Sequence, residues 1–231
     1  MGGRGGSSHQ RAGGGGLSSV QNDVRSIENW IRQQNWFAPG SGVRLSGIDP
    51  NAARGVAEAY QRIFQRYPQL IGLFDGVSSA HLGPGTYADC NLATGRIRVG
   101  IELYSDAAVL RTSYSHDIRS NWHPVGTDWS AIVTHELGHA IDGYISQKMR
   151  SSDHQYYDFY HNSKALQEKI GQKLGISVTK ADIEREVSRY GATSTAEWFA
   201  EAFAEAIHSD HPRPIAAEFM KELELILRRI R

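Results

Sequence analysis

The stretch Ile132-Val133-Thr134-His135-Glu136-Leu137-Gly138-His139-Ala140-Ile141-Asp142-Gly143-Tyr144 leaves this chain few options. Trp129, Ile132, Val133, Leu137, Ala140, Ile141 and Tyr144 recur at helical spacing, which predicts a buried helix with Thr127 or Asp128 as its N-cap. Two His and a Glu in the middle of such a helix are costly to bury unless they find partners. Positions four apart share a face, so His135 and His139 can aim two imidazoles at one point. Neutral imidazole binds zinc at ~2.0–2.1 Å. Glu136 directly follows the first imidazole and can reach a water beside the metal. The spacing therefore points to a hydrolytic zinc site, with metal, activated water and a carboxylate to take the proton. The competing reading is two hydrogen-bonded core histidines beside a solvated Glu.

Two imidazoles do not hold a catalytic zinc; three protein ligands and a water do. The extended pattern His-Glu-x-x-His-x-x-Gly-x-x-His is absent, because Ile145 stands where its last His would be. The other source is a Glu on a second helix. Thr195-Ala196-Glu197-Trp198-Phe199-Ala200-Glu201-Ala202-Phe203-Ala204-Glu205 offers three. On pattern alone the ligand is Glu197 or Glu201, with Glu197 slightly favoured. Ser194-x-x-Glu197 is also a capping box, which needs no metal, and Glu201 and Glu205 also fit a solvated face. Small Ala200 and Ala204 would let this helix approach the first closely. Ligating imidazoles need acceptors for their other ring nitrogen. Asp142 and whichever Glu is not a ligand are the candidates.

The rest of the chain narrows the class. With 25 basic against 25 acidic residues there is no bulk pull toward nucleic acid or membrane. No apolar run approaches the length of a membrane span. The N-terminus has no apolar core of a signal peptide. Cys90 is the single cysteine, which rules out an internal disulfide framework and fits a reducing compartment. Cys90 reads as a small packed residue, or else as a thiolate that caps the metal. Of the remaining histidines, His116, His123, His154, His161, His208 and His211 read as surface or structural.

The pattern as a whole predicts a helix-dominated α+β chain with a small antiparallel or mixed sheet. Residues 1–16 read as a disordered Gly-rich tail. Residues 17–231 read as one domain: a helical part over 17–68, a sheet over 70–103 and a helical metal-binding part over 126–231. Ser18 or Ser19 to Trp36 predicts an amphipathic helix, and Ala38 to Gly47 a loop. Asp49-Pro50 opens a second helix that runs to about Tyr67. Tyr87–Leu92 and Arg96–Leu103 flank Ala93-Thr94-Gly95 as a hairpin. Ser105–Ser113 predicts a helix and Tyr114–Gly126 a loop. Later helices are expected over about 162–174, stopped by Gly175, and over 179–189, 194–208 and 212–230.

His135-Glu136-Leu137-Gly138-His139-Ala140-Ile141-Asp142, then Tyr190-Gly191, then Ala196-Glu197-Trp198-Phe199-Ala200-Glu201-Ala202-Phe203, resembles the anthrax lethal factor-like zinc peptidases, a family that includes the Pro-Pro endopeptidases. The likeness covers roughly residues 96–210. It implies a zincin-like metallopeptidase domain that hydrolyses peptide bonds in a protein or peptide substrate, with Zn2+ as its cofactor. It implies His135, His139 and Glu197 as ligands, Glu136 as catalytic base and Glu201 as the acceptor behind the ligands. It also implies Tyr190 as the donor that stabilises the oxyanion. On that reading the substrate lies extended beside an edge strand, for which Arg96–Leu103 is the candidate. The opening Met1-Gly2-Gly3-Arg4-Gly5-Gly6-Ser7-Ser8, with Trp122-His123-Pro124-Val125-Gly126, is similar to proteins encoded near phage head genes. That likeness implies a phage-associated protein; the single cysteine fits a cytoplasmic one, and the missing signal peptide leaves delivery to another cell by a non-classical route as a further reading. The phage likeness also keeps a second function class open: a non-catalytic phage structural or injected protein with a structural metal site.

Overall fold

The computed structural model describes residues 16–148 and 161–229. The expected tail, apart from Gly16, lies outside them, as does His154. The described chain is α+β and dominated by helices.

After a 3-10 turn at Leu17–Ser19, helix α1 spans Val24–Gln33. Its cap is Asp23, whose side chain accepts the Ser26 N–H at 2.9 Å, so the helix starts later than its apolar spacing suggests. Strand β1, Val43–Arg44, sits inside the stretch expected to be a loop. It is too short to show alternation, and its pairing with a later strand makes it a strand. Helix α2, Pro50–Arg66, opens on the expected Asp49 cap with Pro at its first position.

Strands β2 (Val77–Ala80), β3 (Ala88–Asn91) and β4 (Arg96–Gly100) complete a four-stranded mixed sheet in the order β1-β2-β4-β3. β1, β2 and β4 run parallel, and β3 is antiparallel to β4. The hairpin expected between β3 and β4 is present, with Gly95 in the left-handed region at φ 67°. The Arg96–Leu103 strand is shorter than its alternation suggests, because Ile101–Tyr104 turns into a short helix, α3. It is also an interior strand. Cys90 pairs with Ile97 on one side of β4, and Val77 pairs with Ile97 on the other. The edge strands are β1 and β3.

Helix α4 spans Ala107–Arg119, capped by Asp106, and runs well past Ser113. Residues 114–119, expected in a loop, are helical because Leu110 and Tyr114 extend the buried stripe. Helix α5, Ala131–Lys148, is the predicted central helix and is buried nearly all round. Its lead-in is an Asp128 turn, in which the Asp128 carboxylate accepts the Ser130 N–H at 2.7 Å. Helices α6 (His161–Leu174), α7 (Lys180–Glu186), α8 (Thr195–His208) and α9 (Pro214–Arg229) follow. Gly175 ends α6 at φ 65°, and Thr179 and Ser194 cap α7 and α8 as expected.

One apolar core runs from Leu17 to Leu227. In its centre α5 lies against α8 on one face and beside β3, β4 and α2 on others. Among the described residues no helix is long and apolar enough to cross a membrane.

Candidate metal centre and cleft

The contact between α5 and α8 is built from small residues. A Cβ added at Gly138 would lie 2.9 Å from the Ala200 Cα and 3.4 Å from the Ala200 Cβ. Only a glycine lets the two backbones come this close. This closeness lets a side chain one turn into α8 reach a pair of side chains in the middle of α5.

Three atoms meet there. His139 Nε2 is 3.1 Å from His135 Nε2, and Glu197 Oε2 is 3.1 Å from His135 Nε2 and 3.2 Å from His139 Nε2. The two rings stand nearly perpendicular, at 83°. The Ser194 hydroxyl accepts the Glu197 N–H at 3.1 Å, which is half of the expected capping box. The carboxylate that would complete the box faces the imidazoles instead. Although close to both nitrogens, Glu197 Oε2 is buried without a well-aligned hydrogen bond among the described residues. The three atoms face one another closely enough that a single metal ion could be shared among them. Ligands of a tetrahedral zinc at ~2.0–2.1 Å lie roughly 3.3–3.4 Å from one another. The observed triangle is within ~0.2–0.3 Å of that, and the donor set, two imidazoles and a carboxylate, suits zinc. Of the described residues, these three are the group whose ligand atoms could hold a metal ion together.

The surrounding charge favours a cation as well. Burial works against a proton on His135, yet Glu197 and Glu201 beside it push its pKa well above the ordinary value. Burial likewise opposes charge on Glu197, but His135 and His139 hold its carboxyl well below the usual range. Glu136, 8% exposed, is pushed up by burial, which the two imidazoles oppose.

Glu201, 1% exposed, faces the same cluster from behind. Its Oε1 lies 2.7 Å from His135 Nδ1, a close but bent contact, since that nitrogen has no well-aligned partner. The carboxylate also takes His123 Nδ1 at 3.1 Å and accepts the Ser188 hydroxyl at 2.7 Å. Burial raises its pKa, but His123 and His135 outweigh that and hold it at about 2. Of the two Glu between which the sequence divides the ligand role, Glu197 stands at the imidazole Nε2 atoms and Glu201 at Nδ1. Asp142, the other candidate acceptor, is buried on α5 one turn beyond His139.

Tyr190 closes the site from the loop before α8. Its N–H donates to the Trp122 carbonyl at 3.0 Å, its ring stacks on Trp122 at 5.3 Å, and it lies face-on to His135 at 5.6 Å. Burial, then the carboxylates of Glu197 and Glu136, push its phenol pKa up, so the hydroxyl keeps its proton and remains a donor.

A cleft runs along the free edge of β3. On one side of Glu136 and Tyr190 it is lined by Gly85–Ala88, and on the other by Ala88–Cys90, Leu92 and Ser194. Cys90 lines the second part; burial, then Glu136 and Asp89, raise its thiol pKa, which disfavours the thiolate that a metal cap requires.

Two residues of this site had no separate signal in the sequence. His123, grouped with the surface or structural histidines, is 7% exposed and bonded to Glu201. Gly138 sits in an ordinary helical pattern, and its need shows only against Ala200. No protein-family model and no curated protein matches this chain.

Proposed function

We propose that this chain is a zinc-dependent metalloendopeptidase with a zincin-like catalytic domain, as its likeness to the lethal factor-like peptidases suggests. The observation that carries the reading is the triangle of His135 Nε2, His139 Nε2 and Glu197 Oε2, with sides of 3.1–3.2 Å, next to Glu136 in a cleft beside an unpaired strand edge. His135, His139 and Glu197 would hold the zinc, which supplies a Lewis acid and lowers the pKa of a bound water toward ~7.

The other steps belong to the chain's own groups. The β3 edge offers backbone N–H and C=O groups that hold a polypeptide extended across the site. Glu136 takes the proton of the attacking water as the C–O bond forms, then delivers it to the leaving nitrogen as the C–N bond breaks. Burial favours that proton on Glu136. Tyr190 donates its O–H to the carbonyl oxygen as negative charge develops there. Glu201 fixes the orientation of His135 through Nδ1, and His123 and Ser188 fix Glu201.

The test is Glu136→Gln. It keeps the three metal-facing atoms and removes the base. The variant is expected to bind one zinc per chain and to lose peptide hydrolysis by at least ~100-fold. Equal cleavage by variant and wild type would refute the mechanism. A fourth protein ligand in a zinc absorption spectrum would instead favour a structural site.

A further inference from the structure

Beyond Glu136 the cleft deepens into a cavity of about 250 Å³ between β3, α4 and the loop before α5. Its walls are aromatic: Tyr87, Tyr114, Trp122 and Tyr190. Its lining holds the carboxylates of Asp117, Glu136 and Glu201 and, among the described residues, no Lys or Arg, although the Arg189 guanidinium lies 5.7 Å over the Trp122 ring. Two polar groups there are incompletely used. His123 is 7% exposed, and its Nε2 is a buried atom without a hydrogen-bond partner among the described residues. Nδ1 faces both Glu201 oxygens, at 3.1 and 3.3 Å, and in the tautomer that donates to them Nε2 is an acceptor. Asp117 accepts the Tyr87 hydroxyl on Oδ2 at 2.7 Å, while Oδ1 has only the exposed His116 at 3.5 Å among the described contacts.

The group that fits must therefore donate hydrogen bonds, carry positive charge or none, and present a flat face to aromatic rings. An apolar side chain would leave His123 Nε2 buried and unpaired, and an acidic one would meet three carboxylates. A lysine meets the charge but not the planar walls. A guanidinium meets all three demands, with five donors in a fixed plane that stacks on aromatic faces. We propose that this cavity is a recognition pocket for an arginine side chain of the polypeptide in the cleft, read by Asp117 and His123 beside the Tyr87 ring. The proposal rests on the reading of the cleft as a polypeptide site.

The test measures binding first. The full-length Glu136→Gln chain, loaded with zinc, is titrated with blocked alanine-based hexapeptides that carry one arginine, or one citrulline, at each position in turn. Tryptophan fluorescence reports binding. At one position arginine is expected to bind at least tenfold tighter than citrulline, which has nearly the same shape without the charge. Adding Asp117→Asn, which keeps an acceptor for Tyr87, should bring that ratio to about one. A ratio near one at every position, or one that Asp117→Asn leaves unchanged, overturns the pocket. The arginine-to-citrulline comparison needs no change at Asp117, so it decides even if that variant folds poorly. Wild-type hydrolysis is scored separately. Cleavage without arginine discrimination removes the pocket and leaves the peptidase; discrimination without zinc-dependent cleavage does the reverse.

Discussion

Replacing Gly138 with alanine should invert the usual effect of that substitution. In a helix interior Gly→Ala ordinarily stabilises by ~1 kcal/mol, because alanine loses less backbone freedom on folding. At Gly138 the new methyl would stand 2.9 Å from the Ala200 Cα and 3.4 Å from Phe203 Cδ1. Carbon atoms rest at ~3.5–4.0 Å, so the α5 and α8 backbones must part locally by ~0.6 Å or more. Overpacking of this kind costs ~1–3 kcal/mol, which leaves a net loss of ~0–2 kcal/mol. The larger effect falls on the site. Ala200 is less than one helical turn beyond Glu197, so the displacement reaches a carboxylate that, as the proposed zinc ligand, would tolerate only ~0.2 Å. Zinc affinity should drop by ~10–100-fold, the scale seen when groups that orient ligands are removed. Two measurements separate the effects: thermal unfolding in excess chelator for the helix contact, and zinc competition with a chelator of known affinity for the site. A metal-free protein stabilised by ~1 kcal/mol, with zinc affinity unchanged, would refute the argument that this glycine sets the distance between the helices.

Three further outcomes follow from the same geometry. Tyr190→Phe keeps the stacking on Trp122 and removes only the O–H, so zinc stoichiometry should hold while kcat falls by ~100–1000-fold; a loss of zinc instead would make Tyr190 a structural element of the site. Glu201→Ala strips the acceptor from His123, His135 and Ser188 and should cost ~3–5 kcal/mol of stability, read by denaturant unfolding without metal; a change below ~1 kcal/mol would mean that these contacts are weak. His208, against Thr134 at 2.8 Å, has its pKa lowered to about 4 by burial and then by Arg62. The folded state therefore refuses a proton that the unfolded chain accepts below about 6.5, so this contribution is complete above that pH and is lost as pH falls toward 4. It is worth at most ~3 kcal/mol, less where solvent screens the ring. His208→Gln in the metal-free protein should flatten stability against pH in that window, and an unchanged slope would exclude His208 as its source.

Much of this could be read from local pattern. The period of apolar residues placed α2, α5, α8 and α9, and side-chain caps at Asp49, Thr179 and Ser194 marked the starts of α2, α7 and α8, because helix capping is a contact between residues two or three apart. The i, i+4 spacing of His135 and His139 put both rings on one face for the same reason. Spacing along one helix says nothing about which residue of another element faces it. Glu197 and Glu201 share a face of α8, and whether one meets Nε2 and the other Nδ1 depends on the rotation and separation of two packed helices. Edge and centre of the sheet were likewise undecidable from alternation: β4 alternates as well as any half-buried strand, yet it is flanked on both sides, and β3 borders the cleft. His123 and Asp117 came to the site only through the path of the loop and the length of α4. The local chain dictates which groups share a helix face; only packing decides which faces meet, because the free energy of burying them is shared among residues far apart in sequence.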